Sequence, residues 1–380
     1  MLIAAAILAI FVYGVIAAML GTLLPTFKFT GPESGSIALA QSIGLVIASL
    51  SAGPIIDNKG KKTALVSGLF LIAAVLWALP NVAGFTMVAV LLFILGLGGG
   101  IIVTAANALV GDIKYGNRST ISNLMNLFFG VGSMATPLLS ANLFDNNAQS
   151  LCYFAAVMAS ITFVVHMATK MPPPTGEQGF KVAEIGLLVS RPALWLLSLI
   201  LFMYVACEVG VFNWLSSYLI AKGVPEAEAQ NILGWRFAGG LVIGRVLAAG
   251  ILTRIPGITV LMGAAAAMAA STYWMLADPA SAGIAVLCAG IAMAPVFPTV
   301  LGLVGDAFPV ATATAMGIVI TCGWIGLTVS SSIIGSIAGE DKSNLPAALN
   351  IFPICSVIML VLLVVLSMVQ KKPAASAARA

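Results

Sequence analysis

The chain has 380 residues, of which 61% are hydrophobic and only 8% charged, with a mean hydropathy of +1.10. Its net charge of +4 is scattered in short clusters and excludes a nucleic-acid surface. Between the clusters lie apolar runs of about 20 residues, the length a helix needs to cross about 30 Å of hydrocarbon.

Twelve crossings of about 20 residues consume about 240 residues, leaving short turns and one longer connection. The predicted helices of the first half lie near 3–26, 36–56, 63–80, 84–111, 119–141 and 150–169. Those of the second lie near 192–220, 229–253, 257–277, 282–305, 311–337 and 345–369. The predicted fold class is an all-α membrane protein, twelve transmembrane helices in two pseudo-symmetric six-helix bundles. The first segment lacks a basic flank and is expected to be retained rather than cleaved as a signal peptide. With the N-terminus inside, twelve Lys and Arg fall in cytoplasmic loops or tails, and only Lys28, Lys222 and Lys342 lie outside. Both termini are thus expected in the cytoplasm, with the chain in the cell's inner (plasma) membrane. The five cysteines all lie in apolar segments without metal spacing and read as packing residues, so no metal or cofactor is expected.

The Pro-rich stretch from Met171 divides the chain into an N-terminal bundle (1–170), a cytoplasmic linker (171–190) and a C-terminal bundle (191–380). Two motifs recur across it. Gly44-Leu45-Val46-Ile47 returns as Gly240-Leu241-Val242-Ile243, and Leu109-Val110-Gly111-Asp112 returns as Leu303-Val304-Gly305-Asp306, at offsets of 196 and 194. The agreement of the offsets points to duplication, and two related six-helix halves describe an alternating-access transporter with its site between them.

Between the second and third helices stand Gly53, Asp57, Asn58, Lys59, Gly60, Lys61 and Lys62. The run resembles the G-x-x-x-D-[RK]-x-G-[RK]-[RK] signature of the major facilitator superfamily, with Asn58 where a base is usual and Lys59 beside it. The resemblance implies a cytoplasmic gate role for Asp57, with Arg118 as partner. Asp112 and Asp306, which end the fourth and tenth helices, and Arg245 join them as gate candidates. Further stretches are similar to the fucose and glucose permease branch. They are Gly21 to Pro25, Asn123 to Gly132, Tyr204 to Glu208 with Trp214, Gly239-Gly240 with Gly244-Arg245, and Phe297-Pro298-Thr299. That branch implies sugar uptake driven by a cation gradient, with a proton or sodium as coupling ion. The positions aligned with its proton-handling carboxylates in helices 1 and 4 are Gly21 and Val103, neither of which can carry a proton.

Ionisable groups inside a membrane cost about 2.5–3.5 kcal/mol on insertion scales and mark functional positions. Glu208 lies 17 residues beyond Arg191, about 25 Å along a helix. Arg236 sits about two turns into the eighth helix, where it can snorkel outward or face the cavity. Both are coupling and substrate candidates. A Glu208 paired with Arg236 stays charged, and an isolated one can exchange a proton. Neutral recognition groups are Gln41, Asn107, Asn123, Asn126, Asn213, Trp214, Thr299 and Trp324, with Tyr13 a further candidate. Asn123 and Asn126 share a helix face. His166, near the end of the sixth helix, reads as structural.

The sequence therefore describes a monomeric transporter and not an enzyme, with the lipid bilayer and a small-molecule substrate as its partners. Cation-coupled uptake of a sugar or related polar metabolite is the main reading. Alternatives are uptake of an organic or sugar acid through Arg236, metabolite or drug efflux, and a transceptor that senses without transporting.

Overall fold

Helix ends fall where the sequence supplies a cap or a break. In the computed structural model, which describes residues 2–110, 118–171, 188–277, 282–308, 312–340 and 342–371, every regular element is helical. The first half contains α1 (Leu2–Leu23), α2 (Gly31–Ala78), α3 (Phe85–Val110), α4 (Arg118–Asn142) and α5 (Ala148–Ala168). The second contains α6 (Pro192–Ala221), α7 (Glu226–Asn231), α8 (Gly239–Ile251), α9 (Gly257–Ala277), α10 (Ala282–Met293), α11 (Val296–Ala307), α12 (Thr312–Ala338), α13 (Leu345–Ala348) and α14 (Ile351–Lys371). Thr30 opens α2 through a capping box, its hydroxyl accepting from the Glu33 amide at 3.3 Å while the Glu33 carboxylate accepts from the Thr30 amide at 2.9 Å.

The second and third predicted crossings form one continuous α2, divided only at Gly60, whose φ of 84° glycine adopts without strain. The expected loop there is a single-residue break. The tenth crossing, predicted as one helix, divides into α10 and α11 at Ala294-Pro295, because proline lacks the amide that would continue the ladder. The eighth crossing joins α7 to α8 through seven π-helical residues, Ile232–Ala238. The crossing predicted over 84–111 is the single helix α3 across its described residues, Phe85–Val110.

Among the described residues, eleven segments are helical, long enough and apolar enough to span a bilayer. The twelfth is α4, whose 25 residues reach about 37 Å while carrying more polar side chains. Around the outside, Phe70, Ile161, Val164, Val246, Tyr273 and Met368 are each more than half exposed, a surface suited to lipid and costly in water.

Small residues set the helix spacing. At Gly96 an added methyl carbon would lie 3.2 Å from the Leu45 amide of α2, and at Gly290 it would lie 3.1 Å from the Leu241 amide of α8. Gly100 packs on Ala48 as Gly244 packs on Ala294, and the backbone of Phe11 meets Gly132 as that of Phe202 meets Gly326. Equivalent contacts thus recur in both halves at nearly constant offset, and the two six-helix bundles repeat one packing scheme.

The halves touch at the end predicted to lie outside. The Gly31 amide donates to the Gly339 carbonyl at 3.1 Å, and Gly35 meets Gly335 backbone to backbone. Gln230 Nε2 donates to the Thr22 carbonyl at 3.3 Å, and Asn142 Nδ2 donates to Asn231 Oδ1 at 2.7 Å.

Candidate functional site

Between the halves lies a narrow cavity of about 50 Å³. From the first half, α1 contributes Tyr13, α2 Gln41, α3 Val103, and α4 Asn126 and Phe129. From the second, α6 contributes Glu208, Phe212 and Asn213, α8 Arg245, α11 Phe297 and α12 Trp324. Seven of the 21 lining residues have polar side-chain atoms, and the others are aliphatic, phenylalanine or glycine.

One charge pair stands in this wall. Arg245 Nη2 lies 3.7 Å from Glu208 Oε1, with the residues 4% and 5% exposed. That distance is electrostatic contact rather than a hydrogen bond. Glu208 Oε1 has no hydrogen-bond partner, and neither does Arg245 Nε. Arg245 Nη1 donates to the Asn126 carbonyl of the other half, and the guanidinium carbon lies 5.3 Å from the Phe129 ring centre, a cation–π arrangement. Phe129 in turn leans on Tyr13 at 5.5 Å. Tyr204 and Phe212, one turn to either side of Glu208, are fully buried and seal it from lipid.

The predicted residues divide into those the cavity collects and those it does not. Glu208, Asn126, Asn213, Gln41, Trp324 and Tyr13 all line it. Arg245, expected at a gate, lines it as well and faces Glu208. Arg236, the partner considered for Glu208 in the sequence, is exposed on the π-helical turn facing Gly283, outside the cavity. The reason is helical phase: the nine-residue step from Arg236, which begins in the π-helical turn, leaves the two arginines on different faces, and Arg245 is the one that turns inward. Asn107 donates to its own helix at the Val103 carbonyl, at 2.7 Å. Trp214 is fully buried behind the wall, and Thr299 packs against Gly257. Asp306 is exposed at the end of α11. The side chains of Asp57, Asp112, Arg118 and Asn123 lie outside the described residues, as does most of the 171–190 linker.

At Gly21 a methyl group would overlap the Phe212 carbonyl oxygen, so α1 and α6 leave no room there for the carboxylate that the resemblance aligns with it. Val103 is an apolar part of the wall. Sequence reasoning passed over the ring bed of Phe129, Phe212 and Phe297, because aromatic residues in membrane helices give no signal separating cavity from core. His166 bridges helices, its ring nitrogens 2.8 Å from the Thr162 carbonyl and 3.1 Å from the Ala5 carbonyl.

Comparison with known proteins agrees with this architecture. A 260-residue stretch is 24% identical to Bypass of stop codon protein 6 of Saccharomyces cerevisiae, covering 61% of this chain and 52% of that protein, about half its length. Over 299 residues the chain is 23% identical to the niacin transporter NiaP of Acinetobacter baylyi, covering 69% of this chain and 68% of the relative. The crystal structure of the E. coli fucose:proton symporter FucP superposes with a TM-score of 0.71 at 22% identity, over 96% of this chain and 98% of that one. The family profile of the Major Facilitator Superfamily matches residues 2–331, and this multi-pass membrane protein, a transporter and not an enzyme, belongs to that superfamily.

Proposed function

We propose that this chain is a secondary active transporter that takes up a sugar or closely related small polar metabolite with a proton or sodium ion, by alternating access through the central cavity. One observation carries the reading: the buried Glu208–Arg245 pair stands in the wall of the cavity between the two halves. Charges held in hydrocarbon are costly, and they persist where they serve an ion or substrate path. Gln41, Asn126 and Asn213 add neutral amides, and Trp324 adds an indole. The likeness in fold to a fucose:proton symporter supports the pairing of a sugar with a cation, and the match to a niacin transporter places small acids among the solutes to test. The cross-bundle hydrogen bonds at the closed end contribute about 1 kcal/mol each, few enough to be exchanged for contacts at the other end in a cycle.

In this reading the chain works as a monomer in the inner membrane with both termini in the cytoplasm, and Asp57, Arg118, Asp112 and Asp306 form the cytoplasmic gate. The test is accumulation in proteoliposomes under an imposed proton or sodium gradient. The reading expects labelled solute to rise above its external concentration; equilibration and no more, under either gradient, would reduce the protein to a facilitator.

A further inference from the structure

We propose that the carried solute is a small monocarboxylate, that Arg245 binds its carboxylate in place of Glu208, and that the released Glu208 takes a proton, so that one anion and one proton cross together. The inference rests on the transporter part of the reading above, puts a monocarboxylate where that reading has a sugar, and adds a stoichiometry.

Arg245 is a half-used fork. A guanidinium carries five N–H donors in one plane. Here Nη1 serves the Asn126 carbonyl, while the side edge formed by Nε and Nη2 is idle: Nε is buried without an acceptor, and Nη2 stands 3.7 Å from Glu208. That edge is the one that takes a carboxylate through two parallel hydrogen bonds. Glu208 is near enough to neutralise it and too far to satisfy it. A mobile carboxylate with access to the cavity can approach closer than a side chain fixed on α6.

The remaining wall is mixed, and its concentrated charge is what favours an anion over a hexose. A sugar spreads its hydroxyls around the ring and needs polar partners on every side. The cavity gathers its charge at Arg245, sets Phe129 and Tyr13 on one flank, and spreads the amides of Gln41, Asn126 and Asn213 among aliphatic and aromatic side chains elsewhere, so the one concentrated feature is the guanidinium. Trp324 Nε1, buried in the same wall without an acceptor, supplies one further donor for a hydroxyl or ring nitrogen.

Charge balance supplies the coupling. Empty, Glu208 and Arg245 sum to zero. With the solute bound, two carboxylates would face one guanidinium in an apolar wall, and a buried carboxylate without its counter-ion takes a proton rather than remain charged. The proton comes from water in the cavity and leaves when the solute departs and Glu208 returns to Arg245. Among the described residues, the ionisable groups around Glu208 are Tyr204 on its own helix, Tyr13 from α1 and Arg245 from α8, and Glu208 and Arg245 are the charged residues lining the cavity. The loaded carrier is again neutral, so transport is electroneutral.

The experiment uses the purified full-length protein in proteoliposomes, with lactate, gluconate, quinate and pyridine-3-carboxylate as anionic probes, glucose and fucose as neutral ones, and protein-free vesicles as the leak control. At least one anion is expected to exchange saturably, a pH gradient alone to accumulate it, and a valinomycin-set membrane potential to leave that accumulation unchanged. Glu208→Gln is expected to keep exchange and lose proton-driven accumulation at least tenfold, and Arg245→Gln to lose both. The potential measurement needs no variant, so misfolding of Arg245→Gln does not remove the test. Exchange of glucose or fucose alone would overturn the carboxylate assignment while leaving the transporter intact. Accumulation that follows membrane potential would overturn the stoichiometry. Folded protein that exchanges none of the probes would count against the transporter reading, and this inference would fall with it.

Discussion

Gly35→Ala tests whether the contact between α2 and α12 is a working joint. The added carbon would lie 2.7 Å from the Gly335 Cα and 3.1 Å from the Ser331 carbonyl oxygen, both backbone atoms that cannot swing aside. Carbon atoms in contact rest about 3.5–4.0 Å apart, so the helices must part by about 1 Å. Overpacking of this kind costs about 1–3 kcal/mol. The cost falls only on the state closed at this end, because a state open there separates the two backbones. A bias of that size shifts the open-to-closed ratio about 5- to 150-fold. Spin labels at Asp145→Cys and Lys222→Cys, exposed at the same end on opposite halves, report the separation by pulsed dipolar spectroscopy once the native cysteines are replaced. The long-distance population should grow and solute exchange should slow, while Gly263→Ala, which has no neighbouring atom within 4 Å, should change neither. A distance distribution and exchange rate equal to those of the unsubstituted protein would refute the joint. A fall in melting temperature with unchanged distances would show the contact to be packing alone.

Gly96→Ala and Gly290→Ala probe equivalent contacts inside each half, so each should lower thermal stability by about 1–3 kcal/mol without moving the spin-label distances. His166→Leu removes the bridge between the Thr162 and Ala5 carbonyls and should cost about 0.5–1.5 kcal/mol in a melting experiment, with exchange retained. Lys342 lies outside the crossings with φ 61°, and burial lowers its ammonium below the ordinary lysine value. Between the lowered and ordinary values the unfolded chain holds the proton and the folded chain does not, so stability rises with pH in that alkaline window. Lys342→Gly should abolish this slope and raise stability by about 1 kcal/mol through relief of the left-handed backbone, read in melts across pH. Arg236→Gln should leave exchange within about twofold, since its side chain is not among those lining the cavity.

The fold was legible because lipid imposes it. Long apolar runs can satisfy their backbone only as helices, and the recurrence of Gly44 as Gly240 announced a packing scheme visible as the paired contacts of Gly96 and Gly290. The position of Glu208 was legible for the same reason, since a carboxylate deep in such a run has nowhere inexpensive to go except a cavity. Its partner was harder to read. Counting residues inward favours Arg236, and only the rotational phase of the eighth crossing, altered by its π-helical turn at Ile232–Ala238, separates it from Arg245. The polar residues Asn107, Trp214 and Thr299 show the other limit: helical periodicity tells which residues share a face, but not whether that face meets the cavity, a neighbouring helix or its own backbone.

The duplication is broken where chemistry would occur, and that asymmetry ties charge to movement. Glu208 and Arg245 both belong to the second half, so rocking the bundles as rigid bodies leaves their separation unchanged. The Asn126 carbonyl and the Phe129 ring, which hold the other end and face of the guanidinium, belong to the first half. Any motion that parts α4 from α8 therefore strips Arg245 of a hydrogen bond and a ring contact while Glu208 stays beside it. The arginine is thus less satisfied in any state in which α4 and α8 stand apart. A solute that occupies the idle Nε and Nη2 edge compensates for that loss and lowers the barrier, whereas an empty carrier must cross with the guanidinium underbonded. Solute exchange should on this account outrun the return of the empty carrier, and the difference should shrink in any variant that removes the tether by withdrawing α4 from Arg245. Gly130→Ala weakens the same tether from the side-chain end, since its methyl would sit 3.0 Å from Arg245 Nη1 and from Val242 Cγ2 and displace the guanidinium from the Asn126 carbonyl. Equal slowing of exchange and empty return in Gly130→Ala would break the link between the arginine and the motion.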